Sequence, residues 1–177
     1  MNIDYIYQLL TSQFGEAVIL ALHTQTKDPW IEVAAGEIAR VGDYVESEPT
    51  LSFDLLRNLT GVDYLETNPK LMAKFPYEPH VEVVYHLYSI RHKHQLVLKA
   101  KLPRWHDETP GRLPEIPTVS HIWNIANWHE REAFDLVGIN FIGHPDLVRI
   151  LCAEDWVGHP LRKDYQMPLE YHGIRGR

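Results

Sequence analysis

Apolar residues spaced three and four positions apart indicate two helices near the start of the chain. The spacing predicts an amphipathic helix over residues 2–14, which ends at Gly15, and a second helix over residues 36–47. Two apolar runs between them, at residues 17–24 and 30–33, have the length and composition of buried strands. The chain therefore begins in the order helix, strand, strand, helix.

Strand patterns dominate the middle of the chain. Residues 51–64 predict a helical turn that leads into a strand near residues 58–65, and the runs at 81–91 and 95–102 predict a hairpin around the polar sequence HKH. The order α-β-β-α-β-β-β predicts an α+β fold, a two-layer sandwich with helices on one face of a mainly antiparallel sheet. We expect residues 1–102 to form this core domain.

The pattern changes after the predicted hairpin. Four prolines in residues 103–118 remove backbone donors and predict a Pro-rich linker. Residues 119–137 predict a C-terminal helix that ends at Gly138. Residues 138–177 show little periodicity, but their apolar content is too high for a disordered segment. They predict an extended tail that binds partner proteins.

The helix predicted over residues 119–137 carries large apolar side chains on more than one face. Winding it at about 100° per residue gives a core face and a separate stripe. The core face holds Ile122, Ile125, Ala126, His129, Ala133 and Val137, and the stripe holds Trp123, Asn127, Glu130 and Phe134. Arg131 and Asp135 are spaced to pair on the helix surface. Two interpretations stay open for the stripe, because either the chain's own tail or partner proteins could cover it.

Composition excludes several classes of function. The net charge of −7 gives no basic surface for nucleic acid. The single cysteine, Cys152, lies in an apolar run and cannot build a disulfide scaffold or hold an iron–sulfur cluster alone. No apolar stretch approaches the roughly 20 residues that cross a bilayer, so we expect any membrane association to depend on partners.

The sequence HEREAFD at residues 129–135 invites an enzymatic interpretation. It begins like the zinc motif H-E-x-x-H, but Ala133 occupies the place of the second metal ligand. The carboxylates of this stretch point to different sides of the helix, which disfavours a paired acid and base. The other candidate ligands each precede a proline in a turn: His144 and His159. The sequence therefore predicts no catalytic residue and no metal site.

Residues 127–165 resemble the signature region of the C subunit of NADH-quinone oxidoreductase, in the respiratory complex I family. The resemblance runs in register over this whole segment. It is carried by Glu130-Arg131-Glu132, Phe134-Asp135, Gly138, Phe141, Gly143-His144-Pro145-Asp146-Leu147, Ile150-Leu151, Trp156, Gly158 and Pro160-Leu161-Arg162-Lys163-Asp164-Tyr165. The chain departs from the family pattern at Val148, where a basic residue is usual, and this departure concerns one interfacial charge contact.

The resemblance implies a non-catalytic structural subunit of the peripheral arm of a proton-translocating complex. That complex passes electrons from NADH through FMN and iron–sulfur clusters to quinone, and these cofactors would lie in partner subunits, with none in this chain. The chain would scaffold the D subunit, which bears the quinone site, and the iron–sulfur subunits, at the cytoplasmic side of the inner membrane and without a span of its own. We expect partner contacts at Trp123, Glu130, Arg131, Phe134, Asp135, Phe141, His144, Asp146, Arg149, Trp156, Leu161, Arg162, Lys163, Asp164 and Tyr165.

Two further expectations concern how these residues act. Glu130, Arg131 and Asp135 are expected to serve assembly and not proton transfer, and partner subunits are expected to order most of the tail. Two other functions stay open. The chain could be the equivalent subunit of a membrane-bound hydrogenase related to complex I, or a stand-alone metal hydrolase.

Overall fold

The computed structural model describes residues 2–176 and contains four helices and nine strands in that range. The helices are α1 (Ile3–Phe14), α2 (Ile38–Ser47), α3 (Pro69–Met72) and α4 (Ala126–Val137). The strands are β1 (Ile19–His23), β2 (Trp30–Val33), β3 (Leu55–Tyr64), β4 (His80–Ser89), β5 (His94–Leu102), β6 (Glu115–Pro117), β7 (Asn140–Ile142), β8 (Glu170–Tyr171) and β9 (Ile174–Arg175). Short 3-10 turns lie at Ala35–Glu37 and His106–Glu108.

Five strands form the main sheet in the order β1-β2-β5-β4-β3. Only β2 and β5 run parallel among these neighbours. The strands β4 and β5 pair along the hairpin, from Val81 opposite Leu102 to Ser89 opposite His94. The predicted α+β sandwich with a mainly antiparallel sheet is therefore confirmed, and so is the hairpin.

One face of this sheet packs against the helices and forms the core. Alternate strand residues meet α1 and α2 there, and fully burying a side chain of this size contributes about 1.5–3 kcal/mol. The core includes Ile6, Leu10, Ile38, Val41 and Val45 from helices and Ile31, Val33, Val81, Val83, Tyr85, Leu87, Leu96, Leu98 and Ala100 from strands. The opposite face is open, and Val62, Val84 and Lys99 line a cleft of about 420 Å³ on it.

The last long helix, α4, covers the edge strand β3. An edge strand carries backbone donors without a strand partner, and the Leu59 N–H donates to Nδ1 of His129 at 3.1 Å. Gly61 permits a close approach, because a Cβ there would lie 2.8 Å from Cδ1 of Ile139 and 3.3 Å from Cβ of Val137. The edge is therefore closed by a helix instead of by another strand.

The C-terminal helix is shorter than the sequence predicts. It begins at Ala126 and not at residue 119, because residues 119–125 form turns in which Trp123 N donates to Val119 O at 3.0 Å. A helical wheel that includes these turns places Ala126, Ala133 and Val137 correctly in the core but misplaces other residues. Ile125, predicted to face the core, is exposed, while Glu130 is fully buried.

The predicted linker and tail also contain packed structure. β6 and β7 pair in parallel, with Ile116 opposite Phe141, and both side chains are buried. Pro117 ends β6, a strand position at which proline is tolerated, and the next donor, Thr118 N, bonds to Ile142 O at 2.9 Å. Residues 103–118 are therefore more than a linker. The last residue of the predicted tail, Arg177, lies outside the described residues.

Candidate functional site

Glu130 lies in the interior at the middle of α4, with its side chain fully buried. Its Oε1 accepts the Val119 N–H at 2.7 Å, and its Oε2 is 2.5 Å from the hydroxyl of Thr118. These bonds hold the turn that precedes α4 against the helix. Burial raises the pKa of Glu130 to about 7, although the bonds from Thr118 and Val119 lower it.

The turn after β7 is fixed to the same part of the helix by His144, whose side chain is also fully buried. Its Nδ1 accepts the Asp146 N–H at 3.0 Å, so Nε2 carries the hydrogen and donates to Asn127 O at 3.1 Å. The same Nε2 is 3.9 Å from Oε2 of Glu130. His144 therefore joins α4 to the start of the tail through hydrogen bonds.

Asp135 occupies the other end of α4, with a fully buried side chain. Its Oδ2 accepts three backbone N–H groups of the tail, those of residues 150, 151 and 152, at 3.0, 2.7 and 2.9 Å. Arg149 Nη1 donates to Oδ1 at 2.7 Å. Burial raises the pKa of Asp135, but these bonds outweigh it and bring the pKa to about 2. The predicted pair with Arg131 is wrong, because Asp135 faces the tail and is bonded to Arg149.

The tail also supplies donors to the last carbonyls of α4, which have no partner within a helix. The ring of His159 bonds through Nδ1 to Asp135 O at 3.0 Å. The Leu161 N–H donates to Leu136 O at 2.8 Å. The tail therefore caps the helix from which it emerges.

Arg162 completes this cap. It is only 5% exposed, and its guanidinium donates from Nε to Val137 O at 2.6 Å and from Nη2 to Gly138 O at 3.1 Å. The guanidinium also lies 4.3 Å from the centroid of the Trp105 ring. A cation at a helix C-terminus opposes the negative end of the helix dipole. Arg162 is therefore an internal anchor of the tail.

A second anchor joins the tail to β3 through Asp63, whose side chain is fully buried. Arg104 binds it with two bonds, from Nε to Oδ1 and from Nη2 to Oδ2, both at 2.8 Å. The Lys163 N–H donates to Oδ2 at 2.9 Å, and Asp164 accepts from Arg104 Nη2 at 2.8 Å. Bidentate arginine–carboxylate pairs are among the stronger hydrogen-bonded pairs. The segment at residues 103–118 and the tail are thus both bonded to β3.

Large apolar side chains remain exposed on the outer side of α4 and on the anchored tail. Trp128 is 57% exposed and Leu151 is 64% exposed. The guanidinium of Arg131 lies 4.9 Å from the Trp128 ring centroid, and its Nε donates to Val148 O at 3.2 Å. We call the following set, of which only Arg131 is half-buried, the α4–tail surface: Ile125, Trp128, Arg131, Val148, Leu151 and Leu161.

The residues that the sequence assigns to partner contacts divide into two groups. One group is enclosed by the chain itself: Trp123, Glu130, Asp135, Phe141, His144 and Arg162. The other is exposed or half-buried: Arg131, Phe134, Asp146, Arg149, Trp156, Leu161, Lys163, Asp164 and Tyr165. The prediction of direct partner contact is corrected for the first group, because each of these side chains packs or bonds within the chain. For example, Trp123 Nε1 donates to Phe53 O at 2.9 Å.

The tail is also more strongly attached to its own domain than the sequence predicts. Its backbone donors at residues 150–152, 161 and 163 bond within the chain, so these segments do not need a partner to satisfy them. Sequence reasoning missed Trp128, Asp63 and Arg104. A signal for Asp63 was available, because it follows Leu59 and Gly61 on the alternate positions of β3 that face α4.

Two features of residues 2–176 bear on other functions. In that range, no group of three or more His, Cys, Asp or Glu side chains is arranged to hold a metal ion. None of the helices described has the length and apolar character of a membrane span.

Comparison with known proteins agrees with the resemblance seen in residues 127–165. The family model described as "Respiratory-chain NADH dehydrogenase, 30 Kd subunit" matches residues 31–171. The NADH-quinone oxidoreductase C subunit of Chlorobium phaeobacteroides is 37% identical over 171 residues, which cover 96% of this chain and 92% of the relative. The C subunit of the same enzyme from Roseiflexus castenholzii is 41% identical over 140 residues, which cover 79% of this chain and 71% of the relative.

A solved structure shares the fold. It is a chain of the membrane-bound sulfane sulfur reductase, an archaeal respiratory membrane complex, with a TM-score of 0.66 and 24% identity over 93% of this chain and 85% of that one. At this identity the likeness concerns the fold alone. The family model and the two bacterial relatives carry the assignment: the chain belongs to the 30 Kd subunit family of the respiratory-chain NADH dehydrogenase.

Proposed function

We propose that this chain is a non-catalytic structural subunit in the peripheral arm of a proton-translocating NADH-quinone oxidoreductase. In this role it holds the quinone-site subunit and the iron–sulfur subunits together through the α4–tail surface. The FMN and the iron–sulfur clusters belong to partner subunits, and the chain is held at the cytoplasmic side of the inner membrane through those subunits.

The observation that carries this proposal is the α4–tail surface itself. Trp128 and Leu151 are exposed, and the half-buried Arg131 lies over the Trp128 ring, while the tail is anchored at Asp135 and Asp63. Aromatic and arginine side chains dominate the binding energy of protein interfaces, and a preorganised frame reduces the entropy lost on association. Such a surface is suited to a partner protein.

The acidic residues of α4 support a structural role as well. A general base must reach a proton of its substrate. The Oε1 of Glu130 and the Oδ2 of Asp135 are instead bonded to backbone N–H groups of this chain. Both carboxylates therefore bind segments of their own subunit together.

A second candidate is the equivalent subunit of a membrane-bound hydrogenase related to complex I. The fold also occurs in an archaeal respiratory membrane complex, so the fold alone does not separate the two candidates, whereas the names of the bacterial relatives favour the first. The large subunit that co-purifies with this chain discriminates between them. A quinone pocket in that subunit supports the first candidate, and nickel ligands support the second.

The test is the assembly of the complete complex with Trp128→Ala in this chain. We expect a lower yield of intact complex and nearly normal turnover per assembled complex, because an exposed tryptophan supports binding and not chemistry. The matched control is Tyr5→Ala, which removes an aromatic side chain of similar exposure, 50%, from α1. Full assembly of Trp128→Ala with greatly reduced turnover would contradict the scaffold role.

The proposal also predicts the composition of the purified chain. We expect no stoichiometric flavin, iron or zinc in the isolated subunit, because its single cysteine and its dispersed histidines offer no cluster of ligands in residues 2–176. Elemental analysis and an absorption spectrum measure this directly. A stoichiometric metal would favour the stand-alone hydrolase instead.

A further inference from the structure

The surroundings of Glu130 contain a short chain of hydroxyl groups. The hydroxyl of Thr118 is 2.5 Å from Oε2 of Glu130 and 2.8 Å from the hydroxyl of Ser120. Thr118 is buried, whereas Ser120 is partly exposed. The three side chains therefore connect a fully buried carboxyl group with the surface of the protein.

These hydrogen bonds can run in either direction, because a hydroxyl group donates one and accepts others. With Glu130 ionised, Ser120 donates to Thr118, and Thr118 donates to the carboxylate. With Glu130 protonated, the carboxyl group donates to Thr118, and Thr118 donates to Ser120. Both states use the same heavy-atom positions, so a change of protonation requires no rearrangement.

No cation compensates the charge of Glu130 within the described residues. The titratable groups that face it are Tyr85 from β4 and His144 from the turn after β7. His144 accepts at Nδ1 and donates at Nε2, which is the bonding pattern of a neutral ring. The hydroxyl of Tyr85 is buried without a hydrogen-bond partner, and burial together with the charge of Glu130 raises its pKa.

We propose that Glu130 is a buried proton-binding site that exchanges its proton with solvent through the hydroxyl groups of Thr118 and Ser120. A hydronium ion at the surface gives a proton to Ser120, Ser120 passes its own to Thr118, and Thr118 passes its own to Oε2. The hydronium becomes water, the carboxylate becomes a carboxylic acid, and each hydroxyl keeps one hydrogen. This site governs the stability of the subunit and is separate from electron transfer in the partner subunits.

The cost of burying an unpaired charge favours the protonated form. A carboxylate without a cation loses its hydration, and two hydrogen bonds replace only part of it. Consistent with this, the pKa of Glu130 is raised to about 7. The site therefore changes its occupancy near neutral pH, at which an ordinary glutamate stays ionised.

The experiment is infrared spectroscopy of the full chain, in which a buried protonated carboxyl group gives a carbonyl band separate from that of a carboxylate. We expect the band to grow as the pH is lowered through about 7. Glu130→Gln should abolish it, while the matched control Glu132→Gln, an exposed glutamate on the same helix, should keep it.

The relay is tested separately by Thr118→Val and Ser120→Ala. After a pH jump, the carboxyl band should relax more slowly in both variants, because the hydroxyl path is interrupted. An unchanged relaxation rate in both would overturn the path. If Glu130→Gln does not fold, the unmodified chain still decides the matter, since absence of any buried carboxyl band near neutral pH overturns the proton site.

Discussion

Glu130 and Asp135 lie on the same helix and are both fully buried, yet their environments differ in kind. Glu130 accepts bonds from one backbone N–H and one hydroxyl, and no cation faces it within the described residues. Asp135 accepts three backbone N–H bonds together with a bond from Arg149. Their pKa values move in opposite directions, to about 7 for Glu130 and about 2 for Asp135.

The difference shows that the donors around a buried carboxyl group, and not burial alone, decide its charge. Three N–H dipoles and a guanidinium replace the water that Asp135 loses, so the ionised form is retained. The two donors around Glu130, the Thr118 hydroxyl and the Val119 N–H, do not replace the water that its carboxylate loses. Asp135 can therefore hold the tail as a permanent anion, whereas Glu130 holds the turn before α4 with a strength that depends on pH.

The largest effect is expected from Asp135→Asn. An amide keeps the size of the side chain but loses the charge opposite Arg149, and its NH2 group cannot accept from the tail. Removing one partner of a buried ion pair costs about 3–5 kcal/mol. We expect this loss in the free energy of unfolding of the full chain, measured with urea, with faster hydrogen exchange at residues 150–152.

The control for this variant is Asp146→Asn, which changes an exposed aspartate in the same tail. It should shift the free energy of unfolding by no more than about 0.5 kcal/mol. Equal losses for the two variants would mean that Asp135 does not anchor the tail.

The next largest effect is the pH dependence of stability. An unfolded glutamate ionises near pH 4.3, so from about pH 4.3 to about pH 7 the folded chain holds a proton that the unfolded chain has lost. The contribution of Glu130 is complete below that window and lost as the pH rises through it, by about 4 kcal/mol. Asp135 works in the opposite sense, because its contribution is complete above about pH 3.9 and lost as the pH falls towards about 2.

Urea unfolding at several pH values measures both trends. Glu130→Gln should remove the decline between about pH 5 and about pH 7, since its side chain does not titrate, while Glu132→Gln should keep the decline. The difference between the two variants isolates Glu130 from other titrating groups. Parallel curves for both variants would contradict the assignment.

The β4–β5 hairpin and α4 together show what the sequence can and cannot predict. The β-rich runs at residues 81–91 and 95–102, with the polar HKH sequence between them, predicted the hairpin, because strand composition is a local signal. The start of α4 was predicted too early, because the bond from Val119 N to Glu130 spans a turn and depends on how the chain folds back. The partner of Asp135 was misassigned for a similar reason, since an i,i+4 neighbour is visible in sequence and Arg149 is not. Long-range polar contacts decided the site, and no local pattern encodes them.

The smallest effect on folding is expected from Arg131→Ala. Arg131 lies on α4 at the surface. Its guanidinium lies over the Trp128 ring, and its Nε donates one hydrogen bond to Val148 O. An exposed cation–π contact contributes about 0.5–1 kcal/mol, so unfolding should change by no more than that. Its side chain belongs to the α4–tail surface, however, and interface arginines are frequent centres of binding energy. We therefore expect Arg131→Ala to lower the yield of intact complex while the isolated chain stays folded and the assembled fraction turns over nearly normally.

Arg149→Ala is the matched opposite of Arg131→Ala, because it removes the cation from Asp135 and should destabilise the isolated chain first. Urea unfolding of the two isolated variants, followed by quantification of assembled complex, separates a surface that binds partners from a cap that holds the fold. If Arg131→Ala unfolded the chain as much as Arg149→Ala, the division of α4 into an outer binding side and an inner anchoring side would be wrong.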